Sequence, residues 1–262
     1  MSRYAAMFDR LRGEGAFGAF LMLGDPDLET SARLLDDVVE AGADMIEVGI
    51  PFSDPVADGP VIQAAAQRAL SAGVRVSDCF DLIAAFRSRY QEMPIGILTY
   101  ANIVVARSGF MIDAARSGAD SLLIADVPAI EAEPFVRAME QAGIEPVLIA
   151  AAGTPERTLE HISRLSKAYT YCVSRTGITG THAQGRFDDR LIERLRQSNA
   201  SPAVFGFGIS TPDHVRAALS TGARGVICGS AIVDSAARGE DVTELVRSLK
   251  AATRERLAAA MN

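Results

Sequence analysis

The chain has 262 residues, a formal net charge of −7 and a pI near 5.1, and 48% of its residues are hydrophobic. The excess of acidic residues argues against nucleic acid or an anionic membrane as the partner, because both require a positive surface. The hydrophobic content predicts a globular chain with a large core, and the length fits one domain over residues 1–262, such as an α/β barrel of about 250 residues.

The rarer residue types exclude several kinds of chemistry. Three cysteines, far apart and without a Cys-x-x-Cys spacing, predict buried free thiols in a reducing cytoplasm. The three histidines are scattered and no cluster has ligand spacing, so we expect no metal site. The two lysines, Lys167 and Lys250, fall where surface is predicted, one before a strand and one late in the last helix. Without a lysine in the pocket, Schiff-base and pyridoxal-phosphate chemistry are excluded, and we expect no cofactor.

The amino-terminal part of the chain predicts a helix, a strand and a second helix. Residues 1–14 carry interspersed charges and no continuous apolar stretch, which predicts an amphipathic helix over residues 3–12 rather than a signal peptide. The apolar run that follows predicts a strand over residues 17–23. It ends in Gly24-Asp25-Pro26, where Asp25 can cap the next helix and Pro26 can occupy its first turn.

The same alternation of strand and helix continues along the chain. Gly42, Gly118, Gly143 and Gly222 each follow a helical pattern and precede an apolar run, as expected of repeated helix-to-strand turns. The eight predicted strands are residues 17–23, 45–50, 95–100, 121–125, 146–150, 169–174, 203–207 and 225–228. Such alternation implies parallel strands joined by right-handed crossovers.

Eight such units favour a (β/α)8 TIM barrel, with additional helices at the N-terminus and after strand 2, between residues 61 and 90. The alternative is an open doubly wound sheet. It is less favoured because the Gly-x-Gly-x-x-Gly fingerprint of its dinucleotide-binding members is missing after the first strand.

The second predicted strand contains a carboxylate where burial is expected. Glu47 interrupts the apolar run of residues 45–50, and burying a carboxylate without a partner costs several kcal/mol or raises its pKa. Three prolines stiffen the loop that follows and restrict Asp54 and Asp58 over the strand end. A site with these acids is one interpretation. A salt-bridged glutamate and two turn-forming aspartates are the other.

Glycine-bearing loops follow the last three predicted strands, at residues 176–180, 206–210 and 229–231. Their exposed backbone N–H groups and the amino end of a helix that begins at Ser230 predict an anion cradle, a common feature of barrels after strands 7 and 8. Apolar and aromatic residues near the strand ends would form the adjoining pocket, or else belong to the core. These residues are Phe20, Leu98, Tyr100, Tyr171 and Phe207.

Several of these motifs together resemble one family. The run from Glu47 to Gln63, Glu-Val-Gly-Ile-Pro-Phe-Ser-Asp-Pro-Val-Ala-Asp-Gly-Pro-Val-Ile-Gln, is similar to the signature of the tryptophan synthase α subunit family. The resemblance continues in Ala-Asp-Val-Pro (125–128), Tyr-x-x-Ser-Arg-x-Gly-Ile-Thr-Gly (171–180), Gly-Phe-Gly-Ile-Ser (206–210) and Gly-Ser-Ala-Ile-Val (229–233). It implies a (β/α)8 barrel that cleaves indole-3-glycerol phosphate to indole and glyceraldehyde 3-phosphate. It also implies a β-subunit partner that uses the indole, in an α2β2 assembly.

The resemblance assigns roles to individual positions. Glu47 matches the general acid/base and Asp58 the second catalytic carboxylate, which holds the indole N–H. Phe20 and Tyr171 match pocket-lining residues, and Thr179 belongs to a mobile loop that closes beside Asp58. The positions that match the phosphate site are Gly180, Gly208, Gly229 and Ser230.

The sequence departs from the family pattern in two loops. Tyr100-Ala101-Asn102-Ile103 replaces Tyr-x-Asn-Pro, in a loop that borders the β subunit in the family, and Ala-Ala-Gly-Thr at residues 151–154 replaces Ala-Pro-Pro-Thr. Other functions therefore stay open. They are a stand-alone indole-3-glycerol-phosphate lyase, another phosphate-binding barrel enzyme such as a sugar-phosphate isomerase, and a silent assembly subunit. The intact pair Glu47 and Asp58 argues against the silent subunit.

Overall fold

A computed structural model of the chain describes residues 1–173 and 187–254. Its strands form one nine-stranded sheet in the order β5-β4-β3-β2-β1-β9-β8-β7-β6, and neighbouring strands run parallel. The strands are β1 (Ala16–Met22), β2 (Met45–Gly49), β3 (Ile95–Thr99), β4 (Ser121–Ile124), β5 (Glu145–Pro146), β6 (Leu148–Ala151), β7 (Thr170–Val173), β8 (Ala203–Phe205) and β9 (Gly225–Cys228).

The sheet closes because β5 and β6 are two halves of one barrel strand. β5 pairs with β4 and β6 pairs with β7, while the N–H of Val147 between them still donates to the carbonyl of Leu122 at 3.0 Å. The predicted (β/α)8 barrel is therefore confirmed, and the open doubly wound sheet is wrong. Each predicted strand is present, and within the described residues the ends differ by at most two residues.

Helices cover the outside of the barrel and close one end. The helices are α1 (Arg3–Arg10), α2 (Leu28–Glu40), α3 (Pro60–Ser71), α4 (Val76–Arg89), α5 (Ala101–Ala106), α6 (Phe110–Ser117), α7 (Glu133–Ala142), α8 (Glu156–Leu165), α9 (Asp189–Gln197), α10 (Pro212–Ser220), α11 (Ser230–Ala237) and α12 (Val242–Ala252). A short 3-10 helix (Ala129–Glu131) precedes α7. Helix α1 and the pair α3 and α4 are the additional helices expected from the sequence. No helix in the described ranges is long and apolar enough to cross a membrane.

Local signals in the sequence set most of these helix ends. The four junction glycines all have positive φ, for example 95° at Gly118, which ends α6, and 81° at Gly143, which ends α7. The prediction for Asp25 is wrong. The cap of α2 is Asp27, whose carboxylate accepts from the N–H of Thr30, whereas Asp25 pairs with Arg68 on α3 through two hydrogen bonds of 2.7 Å.

The buried side chains form an inner and an outer cluster, because successive strand residues point to opposite faces of the barrel wall. The outer cluster lies between the strands and the helices. The inner cluster fills the barrel and includes four residues from α1 and the turn after it, namely Tyr4, Met7, Phe8 and Leu11. Helix α1 therefore closes the amino-terminal end of the barrel, and the carboxyl ends of the strands stay available for a site.

Lys250 is buried, so the prediction that it lies on the surface is wrong. Its side chain on α12 is 8% exposed, and Nζ lies 2.6 Å from Oδ2 of Asp44, which also accepts from the N–H of Phe17 at 2.9 Å. Asp44 directly precedes β2, so this ion pair lies at the amino-terminal end of the barrel. An ammonium group at the end of an amphipathic helix is usually solvated, and here the carboxylate compensates its desolvation.

The buried ion pair gives a stability prediction. Lys250→Met should lower the free energy of unfolding by about 3 kcal/mol, because Asp44 stays buried with its main counter-charge removed. The matched control is Lys167→Met, since Lys167 is exposed and its Nζ donates to the carbonyl of Arg164 at 3.0 Å. Urea denaturation of both variants measures the difference, and equal losses would contradict the assignment of the ion pair.

Candidate active site

The carboxyl ends of the strands surround a cavity of about 430 Å³. Its wall is mainly apolar, and two carboxylates face it, Glu47 and Asp58. The predicted site residues that line it are Phe20, Glu47, Asp58, Leu98, Tyr171, Phe207, Gly208, Gly229 and Ser230. The cavity therefore brings together acids, aromatic side chains and glycine-bearing loops that are far apart in the sequence.

Glu47 lies in the middle of β2 and points into the barrel. It is paired in register with Phe20 on β1 and with Gly96 on β3, and it is 2% exposed. Its Oε1 accepts a hydrogen bond of 2.8 Å from the hydroxyl of Tyr169, which immediately precedes β7. The alternative of a salt-bridged structural glutamate is not what the structure shows, because the partner of Glu47 is a neutral hydroxyl.

A layer of tyrosines below Glu47 separates it from the closed end of the barrel. The rings of Tyr4 and Tyr169 lie 5.4 Å apart between centroids, and the hydroxyl of Tyr4 lies 2.9 Å from Oγ of Ser121. Gly96 leaves room for this layer, since a Cβ there would lie 2.8 Å from Oγ of Ser121 and 3.0 Å from the Tyr4 hydroxyl. Glu47 is thus supported from below and open only toward the cavity.

The environment of Glu47 shifts its protonation toward neutrality. Burial raises its pKa to about 7, the Tyr169 hydrogen bond opposes this by stabilising the ionised form, and the nearby charge of Asp58 raises it further. A carboxyl with a pKa of about 7 can both accept and donate a proton at neutral pH. This property is what an acid/base catalyst requires.

Asp58 follows β2 in the proline-rich loop and is partly exposed to the cavity. Its Oδ2 accepts a hydrogen bond of 2.8 Å from the hydroxyl of Tyr100. Burial raises the pKa of Asp58, and the Tyr100 hydrogen bond lowers it. Asp54, in the same loop, is exposed and bonded only locally to Ser53. The loop therefore aims one of its two aspartates at the cavity.

The predicted pocket residues divide into two groups. Phe20, Leu98, Tyr171 and Phe207 line the cavity, and the Tyr171 hydroxyl donates to the carbonyl of Gly206 at 2.7 Å. Tyr100 does not belong to the described lining residues, although the sequence predicts it there. It is 2% exposed, and its hydroxyl reaches the site through Asp58 and the N–H of Ala57.

The predicted phosphate site is partly within the described residues. Gly208, Gly229 and Ser230 line one part of the cavity, and α11 begins at Ser230, with no side-chain hydrogen bond recorded at its amino end. Gly208 has a φ of 80°, a conformation that favours glycine. The fourth predicted phosphate position, Gly180, lies outside the described residues, as does Thr179, the predicted loop residue beside Asp58.

Several lining residues were missed in the sequence. They are Ile62, Leu123, Ala125, Ile149, Val173 and Ile227. A signal for some of them existed, because Val173 lies two residues after Tyr171 and therefore on the same face of β7. Tyr169, the hydrogen-bond partner of Glu47, was also missed, although it lies two residues before Tyr171 and the same alternation places it on that face. Within residues 1–173 and 187–254, no group of three or more His, Cys, Asp or Glu residues is placed to hold a metal ion.

Comparison with known proteins shows the family of this chain. The family model described as "Tryptophan synthase alpha chain" matches residues 8–262. The tryptophan synthase alpha chain of Shewanella oneidensis is 45% identical over 265 residues, which cover 96% of this chain and 95% of that protein. This chain belongs to the tryptophan synthase alpha chain family. The family consists of lyases that cleave indole-3-glycerol phosphate.

Further relatives and solved structures extend the similarity to the whole fold. The alpha chain of Vibrio cholerae is 48% identical over 238 residues, 89% of each chain. A structure from Aquifex aeolicus superposes with a TM-score of 0.89 at 33% identity, over 97% of this chain and 100% of that one. A tryptophan synthase structure from M. tuberculosis gives 0.87 at 28% identity, over 97% and 99%.

For this member of the alpha chain family, we expect the burial of Glu47 to make the free energy of unfolding depend on pH. The native pKa of Glu47 lies near 7 against an ordinary 4.5, so the folded state binds the proton more tightly and loses stability as the pH rises from about 4.5 to about 7. Glu47→Gln should therefore raise the free energy of unfolding by up to about 3 kcal/mol at pH 8.

The gain from Glu47→Gln should shrink as the pH falls and vanish below about pH 4.5, where native and unfolded chains both carry a protonated Glu47. Urea denaturation at a series of pH values measures it. The exposed Glu92→Gln serves as the matched control and should show no such trend. A gain for Glu47→Gln that is constant between pH 4.5 and 8 would show that Glu47 is ionised throughout.

Proposed function

We propose that Glu47 is the general acid/base and Asp58 the charge-stabilising carboxylate for indole-3-glycerol phosphate cleavage in this chain. The observation that carries the proposal is the pair of acids on one cavity in different environments. Glu47 is buried with a pKa of about 7, whereas Asp58 is partly exposed and bonded to Tyr100. Two carboxyl groups whose surroundings differ in this way can take different roles in one reaction.

The reaction requires two proton transfers around one carbon–carbon bond. Protonation of the indole ring carbon that bears the glycerol chain places positive charge on the ring nitrogen. Removal of the proton from the adjacent hydroxyl lets its electrons form the carbonyl of glyceraldehyde 3-phosphate, and the electrons of the broken bond return to the ring. Glu47 can exchange these protons because both of its forms are populated near neutral pH. An ionised Asp58 would hold the ring N–H and stabilise the positive charge.

The shape of the cavity fits both ends of the substrate. The rings of Phe20 and Tyr171 and the side chains of Leu98 and Phe207 provide an apolar wall for the indole. We infer that Gly208, Gly229 and Ser230 hold the phosphate through backbone N–H groups at the start of α11. From the sequence, Gly180 is proposed for the same phosphate site, and Thr179 is proposed as a substrate-binding residue in a loop that closes beside Asp58.

Activity measurements on carboxylate variants test the catalytic assignment. Glu47→Gln keeps the shape of the side chain and removes the exchangeable proton, so kcat should fall by about 10²–10⁴ while KM changes little. Asp58→Asn should lower kcat by about 10²–10³, because a neutral amide cannot stabilise the charge on the ring nitrogen. Release of indole from indole-3-glycerol phosphate by the purified chain provides the assay.

The same loop offers the matched control for these variants. Asp54→Asn changes an exposed carboxylate four residues before Asp58 and should leave kcat within about threefold of the parent. Near-normal turnover in Glu47→Gln, or an Asp54→Asn variant as impaired as Asp58→Asn, would refute the assignment. Equal impairment of Asp54→Asn and Asp58→Asn would mean that the two carboxylates maintain the conformation of the loop and that neither acts in the reaction.

An exposed apolar surface beside the cavity supports a β-subunit partner and an α2β2 assembly. Val56, Val105 and Ile130 are 81%, 65% and 68% exposed, and they follow the neighbouring strands β2, β3 and β4 at their carboxyl ends. Large exposed apolar residues on one face of a protein mark interaction sites. We infer that the partner docks on this surface, which we name the apolar rim.

A charge placed on the apolar rim tests the docking site. Val105→Lys should weaken binding of a β subunit at least about tenfold, since an ammonium group would be buried without a partner. Gln91→Lys places the same charge on the exposed turn between α4 and β3, at the opposite end of the barrel, and should bind normally. Calorimetric titration of both variants with the β subunit measures the effect. Equal affinities would place the interface elsewhere.

Domain organisation and cellular compartment are proposals as well. We propose a single domain, because one closed sheet takes its strands from Ala16 to Cys228 and α1 and α12 pack onto the same barrel. We also propose a cytoplasmic location. All three cysteines are free and buried, which agrees with a reducing compartment.

A further inference from the structure

Tyr100 is held in place from two sides at the end of β3. Its ring lies 5.2 Å from the ring of Phe52 between centroids, with an interplanar angle of 32°. Directly after it, the N–H of Ala101 donates to Oδ1 of Asp126 at 2.8 Å. Phe52 follows β2 and Asp126 follows β4, so the two strands that flank β3 both restrain this position.

The hydroxyl of Tyr100 contacts two consecutive residues of the proline-rich loop. It donates to Oδ2 of Asp58 at 2.8 Å and accepts from the N–H of Ala57 at 3.3 Å. One bond fixes the carboxylate, and the other fixes the backbone immediately before it. Together they restrict how the Asp58 side chain can turn within the cavity.

We propose that Tyr100 is a positioning residue that acts through Asp58, and that Phe52 keeps Tyr100 in the orientation this requires. The proposal rests on the proposed function, because it assumes that Asp58 takes part in the reaction. It differs from the expectation drawn from the sequence, in which Tyr100 touches the indole. The tyrosine is instead behind the carboxylate, at the point where the loops after β2, β3 and β4 meet.

The charges around Asp58 show why its orientation and its protonation depend on the same bond. Glu47 from β2, Tyr171 from β7 and Tyr100 from β3 face Asp58, and Asp126 after β4 faces Tyr100. The Tyr100 hydroxyl favours the ionised form of Asp58 by hydrogen bonding to it. Burial raises the pKa of Asp58 and this bond lowers it.

Removing the hydroxyl while keeping the ring is the direct test. In the full-length chain, Tyr100→Phe should lower kcat about 10- to 100-fold, the usual effect of losing a hydrogen bond to a charged group, with KM changed less than about threefold. The acid limb of the kcat/KM profile should move to higher pH, because Asp58 loses the bond that keeps it ionised. A purely structural role for Tyr100 would not move this limb.

Two further variants complete the comparison. Tyr90→Phe removes a tyrosine hydroxyl at the end of α4, far from the cavity, and should leave the rate and the pH profile unchanged. Phe52→Leu keeps an apolar side chain but removes the ring that contacts Tyr100, so it should reproduce the loss of kcat in weaker form, about three- to tenfold. Phe52→Leu also provides an answer if Tyr100→Phe folds poorly.

A double-mutant cycle distinguishes failure of this inference from failure of the proposed function. If Tyr100 acts through Asp58, Tyr100→Phe should have less than about a threefold effect in an Asp58→Asn background. The inference would be overturned if the losses of kcat in the two single variants add in the double variant. It would also be overturned if Tyr100→Phe keeps kcat within about twofold of the parent and leaves the acid limb unmoved. In both cases an inactive Asp58→Asn variant would leave the proposed function standing. An active Asp58→Asn variant would instead refute the proposed function itself.

Discussion

The properties of the site depend on the burial of one carboxylate, Glu47, inside the barrel. The register between β1, β2 and β3 points Glu47 inward, where water cannot solvate it. A single hydroxyl hydrogen bond, from Tyr169, is the polar partner that the described structure gives it. The pKa of Glu47 therefore rises to about 7. The same burial that makes the folded chain less stable above neutral pH makes Glu47 able to exchange protons there.

The two acids differ because different elements support them. Glu47 is on a strand, so its position follows from the barrel wall, and the tyrosine layer above α1 closes the space beneath it. Asp58 is on a loop, where no strand register fixes the side chain. Its position depends on Tyr100, whose own position depends on neighbouring loops. The barrel wall fixes Glu47, whereas Asp58 needs side-chain contacts to hold it, since strands keep geometry more accurately than loops do.

The sequence predicted the parts of the fold that depend on local patterns. Apolar runs located every strand, and glycines such as Gly118 marked the turns because their positive φ is a local requirement. The same patterns could not show which side chains meet across the barrel. Tyr169 and Glu47 are separated by 122 positions, and the burial of Lys250 depends on Asp44, 206 positions away. The sequence predicts Tyr100 on the cavity because it lies at a predicted strand end, but the sequence pattern does not show in which direction its ring points.

Two buried or partly buried ion pairs stabilise the amino-terminal end of the barrel, opposite to the cavity. At the amino-terminal end, Lys250 pairs with Asp44, and Arg87 pairs with Asp120 while also donating to the carbonyl of Gly118. These charges are compensated and hold helices to the barrel. The carboxyl-terminal end carries Glu47 and Asp58, whose pKa values are raised, and the exposed side chains of the apolar rim. Because Lys250–Asp44 and Arg87–Asp120 lie at the end opposite to the cavity, a change in the loops around the cavity should leave these two ion pairs intact, as expected of a barrel whose amino-terminal face serves stability.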